Sequence, residues 1–263
     1  MLGMIRSPND DRSYRLALGV LVLAAWLVLA LWGASPEGAH LHHDEVASHH
    51  GAGEGHPSPV LRLPVFVAGW VVMTIAMMLP GTLPLLNLFH RAIGVRADRD
   101  LLLALLGAGY IAIWAVFGAL AFLGDTWLHA LVERAAALEA AAWSIPPAIL
   151  LAAGLYQFTA LKERCLAECR SPFAFLAGRW HGRRPAWEAW QLGVRHGLFC
   201  VGCCWTLMLL MFAVGVAHLG WMLALGAVMS AERAMPWGRR ITKPAGVVLA
   251  AWGVVQLAAR LLG

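Results

Sequence analysis

"LFCVGCCWTLMLLMFAVGV", residues 198–216, holds no charged residue. An α-helix needs roughly 18–20 apolar residues to cross a hydrocarbon core of about 30 Å, so the stretch reads as a membrane span. It is an unusual one. Leucine would satisfy lipid at less chemical risk, yet the segment carries Cys200, Cys203, Cys204, Met208 and Met211.

The rest of the chain fits the same class. Hydrophobic residues make up 60% of the 263 positions and charged residues only 13%, with a mean hydropathy of +0.67. A soluble protein carries about a quarter charged residues. The expected fold is therefore all-α: a polytopic transmembrane helix bundle. The first apolar run, Leu16–Trp32, follows Arg6, Arg12 and Arg15 like a signal peptide. Its core is longer than the ~7–15 residues of a cleaved signal, which favours a retained span. Further spans fall near 64–88, 101–123, 145–161, 198–216, 219–232 and 241–261, giving about seven. The count drops to six if one long helix runs from Leu198 to Ala231. Arg195 before that stretch and Arg233, Arg239, Arg240 and Lys243 after it favour a hairpin returning to one side.

With the N-terminus in the cytoplasm, only Arg62, Arg134 and Arg260 of the 20 basic residues fall outside. That bias follows the positive-inside rule. The expected location is a cell membrane, crossed several times. The net charge of +5 then reflects topology and contact with anionic lipid, and nucleic-acid binding is not required. Three regions follow: a tail and first span (1–34), an outer loop (35–63), and a bundle (64–263) that includes a cytoplasmic loop (162–197).

The outer loop contains "SPEGAHLHHDEVASHHGAGEGHPSP", with His40, His42, His43, His49, His50 and His56 on a Gly-, Ser- and Pro-rich backbone. Neutral imidazole is the commonest metal ligand, and several on a loose segment can wrap an ion without a preformed cage. In the cytoplasmic loop, Pro185 suits the first turn of a helix. Trp187, Trp190, Gln191 and Val194 would share one face of a helix lying in the membrane interface.

The sulfur is patterned. At about 100° per residue, Cys200, Cys204, Met208 and Met211 stay within about 80° of one another on a helix, and Cys203 lies about 60° to the other side. His218 returns to the Cys200 direction if the helix extends that far. Met73, Met77 and Met78 lie in the "MTIAMMLPGTLP" stretch, where Pro80, Gly81 and Pro84 should loosen the helix. Cys165 and Cys169 share a face of "YQFTALKERCLAECRSP". The assigned topology puts all five cysteines at one membrane depth, on two helices. Soft thiolate and thioether ligands favour Cu(I), with Zn²⁺ competing at the thiolates and nickel or cobalt at the histidines. A reducing cytoplasm disfavours structural disulfides.

"WVVMTIAMMLP", "GLYQFTALKERCLAECRSP" and "GVRHGLFCVGCCWTLMLLMFAVGV" resemble the signatures of an uncharacterised family of predicted metal-binding integral membrane proteins. The resemblance runs from about Trp70 to the C-terminus. It implies a polytopic bacterial inner-membrane protein that binds metal, and it marks Met73, Met77, Met78, Pro80, Cys165, Cys169, Cys200, Cys203 and Cys204. The chain departs from the pattern at "GVAHLGWM", where a methionine–asparagine pair is usual, and at Glu232–Arg233, where Glu-Lys is usual. The His-rich loop stands outside the shared pattern.

The leading functional reading is transition-metal handling, above all of copper as Cu(I). Its partners would be the metal ion, membrane lipid and a metal chaperone or membrane complex. A membrane thiol–disulfide oxidoreductase using Cys200, Cys203 and Cys204 is the alternative, although the reactive pair would then face inward. A third reading is an assembly subunit with no chemistry of its own. No Ser–His–carboxylate set or phosphate-cradling loop stands out. Asp125 and Glu232, at span ends, read as solvated or ion-paired.

Overall fold

A computed structural model describes residues 8–33, 59–134, 141–214 and 219–262, and among these it contains helices and short connections but no strand. The helices are α1 (Pro8–Gly33), α2 (Pro59–Ala92), α3 (Arg99–Arg134), α4 (Ile145–Tyr156), α5 (Ala160–Arg170), α6 (Pro172–Ala177), α7 (Pro185–Val214), α8 (Leu219–Ala234) and α9 (Gly238–Leu262). A 3₁₀ turn, Ala142–Ser144, leads into α4. Helices α1, α2, α3, α7 and α9 contain stretches long and apolar enough to cross a membrane, and α4 with α5 forms a pair of that kind bent by 64°. The histidines His40, His42, His43, His49, His50, His56 and His218 lie outside the described residues.

Two sequence expectations change. The 145–161 span is not one unbroken helix. α4 stops at Tyr156, and Thr159, in extended conformation, accepts a hydrogen bond from the Lys162 backbone N–H to start α5. A threonine side chain in that role satisfies one of the donors a new helix leaves open. The second change concerns the Trp187–Val194 face, which belongs to no separate interfacial helix. It forms the first turns of α7, which runs unbroken from Pro185 to Val214. Gly182, at φ +69°, turns the chain into it. The Glu188 carboxylate accepts from the backbone N–H groups of His181, Gly182, Arg183 and Arg184 at 2.7–3.0 Å.

The alternative of one helix from Leu198 to Ala231 fails on distance. At 1.5 Å per residue a straight helix would hold positions 200 and 233 about 50 Å apart, yet Arg233 hydrogen-bonds Cys200 at 2.7 Å. The chain reverses between α7 and α8, as the flanking basic residues suggest.

Helix α7 is the centre of the bundle. It packs along α3 and is also flanked by α5, α4 and α8; α2 bridges α1, α3 and α8, and α9 lies along α4. The α3–α7 crossing is close because both helices present glycine. A Cβ at Gly109 would stand 2.5 Å from the Trp190 carbonyl oxygen, and one at Gly193 would run into that of Leu106. Small residues at such crossings let backbones approach where lipid offers no hydrophobic drive. On the outside, α1 leaves Leu16, Val20, Leu23, Leu27 and Leu31 at least 60% exposed, a contiguous apolar face of the kind that marks an interaction or lipid-facing surface. Tyr14 stacks on His90 at 4.1 Å and ties α1 to α2.

The crossing gives a direct test. Gly193→Val should overpack the α3–α7 contact and cost about 1–3 kcal/mol, seen as a lowered unfolding temperature in detergent. Gly107→Ala, where a Cβ meets nothing within 4 Å, should be neutral or stabilising. Equal behaviour of the two variants would disprove the close crossing.

Candidate metal centre

One buried core joins α2, α5, α7 and α8, and it holds the sulfur. Met73, Met77, Met78, Cys165, Cys169, Cys200, Cys203, Cys204, Met208 and Met211 all belong to it. None of them is more than 8% exposed, and all five cysteines are free thiols. The sequence singled out each of these ten side chains; what it lacked was proof that they meet.

Within the core, the Cys200, Cys203 and Cys204 sulfurs all lie within 4.8 Å of one another. Cys203 Sγ and Cys204 Sγ are 3.1 Å apart, and the Cys203 thiol donates to the Cys200 carbonyl at 3.2 Å. At metal–sulfur bonds of about 2.3 Å, two sulfurs on one ion can be separated by at most about 4.6 Å. Three sulfurs spaced evenly around one ion at that bond length lie about 4 Å apart, so the thiols can converge on one ion once the Cys203 and Cys204 sulfurs part by about 0.9 Å from their 3.1 Å. From α5, the Cys169 side chain interacts with Cys203. Cys165 Sγ lies over Gly202, so close that a Cβ there would stand 2.5 Å away. Tyr156 donates its hydroxyl proton to the Gly202 carbonyl and fixes α4 to the same turn.

Several residues at this centre were not singled out by the sequence. Met222 and Met229 of α8 enter the same core. They sit seven residues apart with Leu225 between them, a one-face helical spacing that was available to read. Tyr110 of α3 places its hydroxyl 3.1 Å from Cys200 Sγ. His196, one turn before Cys200, is 3% exposed and its Nε2 has no hydrogen-bond partner among the described residues. Proximity to Arg195 made it read as part of a basic loop.

Arg233 is the larger surprise. Its charge reads as a topology signal, but the side chain turns inward and is 4% exposed. Nη1 donates to Cys200 Sγ at 2.7 Å; Nη2 donates to the Met78 carbonyl at 2.9 Å and approaches Met78 Sδ at 3.4 Å. Gly81 makes room, because a Cβ there would collide with the guanidinium. Thr82 Oγ1 also donates to the Met78 carbonyl, at 3.0 Å. The proline-containing segment of α2 thus remains helical while its carbonyl serves two extra donors. Among the described residues no carboxylate pairs with Arg233, so the sulfur of Cys200 is its nearest candidate counter-charge.

Glu232, next to it, points the other way. Its Oε2 pairs with Lys162 Nζ at 2.8 Å, both side chains being buried, and Lys162 also donates to Gln157 Oε1. Arg170 donates to the carbonyls of Glu232, Met235 and Pro236 at the end of α8. Cations suit a helix C-terminus, where the last carbonyls lack partners. The Glu232–Arg233 dipeptide therefore ties α8 to α5 on one side and to α7 and α2 on the other.

A buried set of soft donors, with no carboxylate among the clustered ligands of the described residues, has the chemistry to hold a thiophilic metal. Residues 67–256 match the family model described as PpoB2, copper chaperone, and the chain belongs to that family. No match is found among curated proteins or among solved structures.

The ion pair yields a prediction. Glu232→Ala leaves Lys162 buried without a counter-charge and should cost about 3–5 kcal/mol. Adding Lys162→Met should recover most of the loss in a detergent unfolding assay. A single variant as stable as the parent would show that the pair is not buried.

Proposed function

We propose that the chain is a membrane-embedded copper chaperone that holds Cu(I) on the Cys200–Cys203–Cys204 thiols. The observation that carries this reading is the convergence of three free, fully buried thiols inside a methionine-lined core. Thiolates and thioethers are the ligands that select Cu(I) over harder ions. An ion passed between neighbouring soft ligands is never bare in hydrocarbon, and a buried charge without partners is costly. The family's description supports copper as the cargo.

The long apolar helices support insertion into a cell membrane, with the N-terminus on the cytoplasmic side by the positive-inside rule. In that orientation the histidines of the 35–63 loop collect the ion outside. Met73, Met77, Met208 and Met211, joined by Met222 and Met229, form the thioether route inward. Cys165 and Cys169 stand beside the thiol cluster as further ligands from α5. A soluble metal chaperone or a membrane complex would take the ion onward.

Anaerobically purified protein should retain about one or more Cu(I) per chain, measured by metal analysis after desalting. Serine at Cys200, Cys203 and Cys204 together should abolish it. Deleting residues 35–58 should slow loading and leave the tightly held ion in place. Unchanged copper in the triple variant would reject the thiol site.

A further inference from the structure

The thiol cluster is not the end of the ligand column on α7. His196, Cys200, Cys204 and Met208 follow one another at four-residue intervals, so the imidazole is one turn from Cys200 on the same side of the helix. It sits at the end of the column opposite the methionines. All four side chains are buried, at 3%, 0%, 1% and 0% exposure. Cys200 and His196 are close enough to interact electrostatically.

The imidazole's surroundings explain its shape but leave a nitrogen unused. Its ring lies 5.7 Å from that of Tyr110 and 5.6 Å from that of Phe175. Phenylalanine would fill such a slot. Nε2 meets no donor or acceptor among the described residues, and an unsatisfied buried polar atom costs about 1–3 kcal/mol. A neutral imidazole with a free nitrogen, held by rings one turn from a thiol, is a ligand in waiting.

We propose that His196 is a copper ligand, forming with Cys200 a mixed nitrogen–sulfur station through which the ion enters or leaves the thiol cluster at the His196 end. The inference rests on the copper-chaperone reading above and adds to it a residue and an end of the path. The step is a ligand exchange with no change of oxidation state: a Cu–N bond to the imidazole forms as the Cu–S bond to Cys203 or Cys204 breaks, and the freed thiolate takes back the proton it gave up when the ion bound.

The test uses full-length protein in detergent, loaded with Cu(I). X-ray absorption at the copper edge is recorded for the parent, for Cys203→Ser/Cys204→Ser, and for that double variant with His196→Phe added. The double variant should keep bound copper with both nitrogen and sulfur neighbours. Adding His196→Phe should remove the nitrogen and weaken retention against a Cu(I) chelator at least about tenfold, the lower end of what losing a supporting group costs a metal site. Metal-free His196→Phe alone should unfold at the same temperature as the parent or higher, because the orphaned nitrogen is gone. His196→Gln, which keeps polar atoms, serves as a second variant for the binding assay if the ring change impairs folding. Sulfur-only coordination in the double variant, or equal retention with and without His196, would overturn the proposal. Copper surviving in the triple cysteine variant would instead overturn the thiol site itself, so the two failures are distinct.

Discussion

Cys165 rests its sulfur on the bare backbone of Gly202, between Cys200 and Cys203, and the rest of the centre depends on that contact. A side chain at position 202 would displace the Cys165 sulfur from its place beside Cys200 and Cys203. With glycine there, one turn region of α5 and one of α7 bring five thiols into one core. The bend between α4 and α5 is part of the same device. Extended without a break, α4 would carry Cys165 and Cys169 past α7 along its own axis; Thr159 stops it and re-aims α5.

Charge then closes the centre from the α8 side. An apolar bundle has no reason to bury Lys162, Glu232 and Arg233 unless each is matched. Lys162 and Glu232 match each other. Arg233 is matched by sulfur and by a carbonyl of a proline-containing helix. The Cys200 sulfur is therefore shared between a guanidinium, the Tyr110 hydroxyl and any incoming ion. Chemistry and packing use the same atoms, which is why the sulfur core and the α2–α5–α7–α8 junction coincide.

Much of this was legible in the chain. Uncharged runs located the long helices, because a 60% hydrophobic composition leaves few other ways to satisfy the backbone. Helical spacing grouped Cys200, Cys204, Met208 and Met211, and a one-depth argument grouped the cysteines of α5 with them. What was hidden depends on tertiary contacts. Pro185 announced a helix but not that it would run through Gly193 and Gly197 into the thiol segment; that follows from glycine-to-backbone packing against α3. Arg233 and His196 looked like surface charge because their sequence neighbours are basic, and only the reversal between α7 and α8 shows what the arginine faces. Met222 and Met229 were readable by spacing and overlooked because α8 is short. The histidine loop and His218 fall outside the described residues.

The central claim is that α5 and α7 present their thiols to each other in a core that copper can occupy. A short bifunctional thiol reagent such as dibromobimane, applied to a variant keeping only Cys169 and Cys203, reports it in one fluorescence measurement. The account expects a fluorescent intramolecular bridge in copper-free protein, and its suppression when Cu(I) is loaded first. Absence of the bridge in folded protein, or a bridge that forms equally with and without copper, would contradict it.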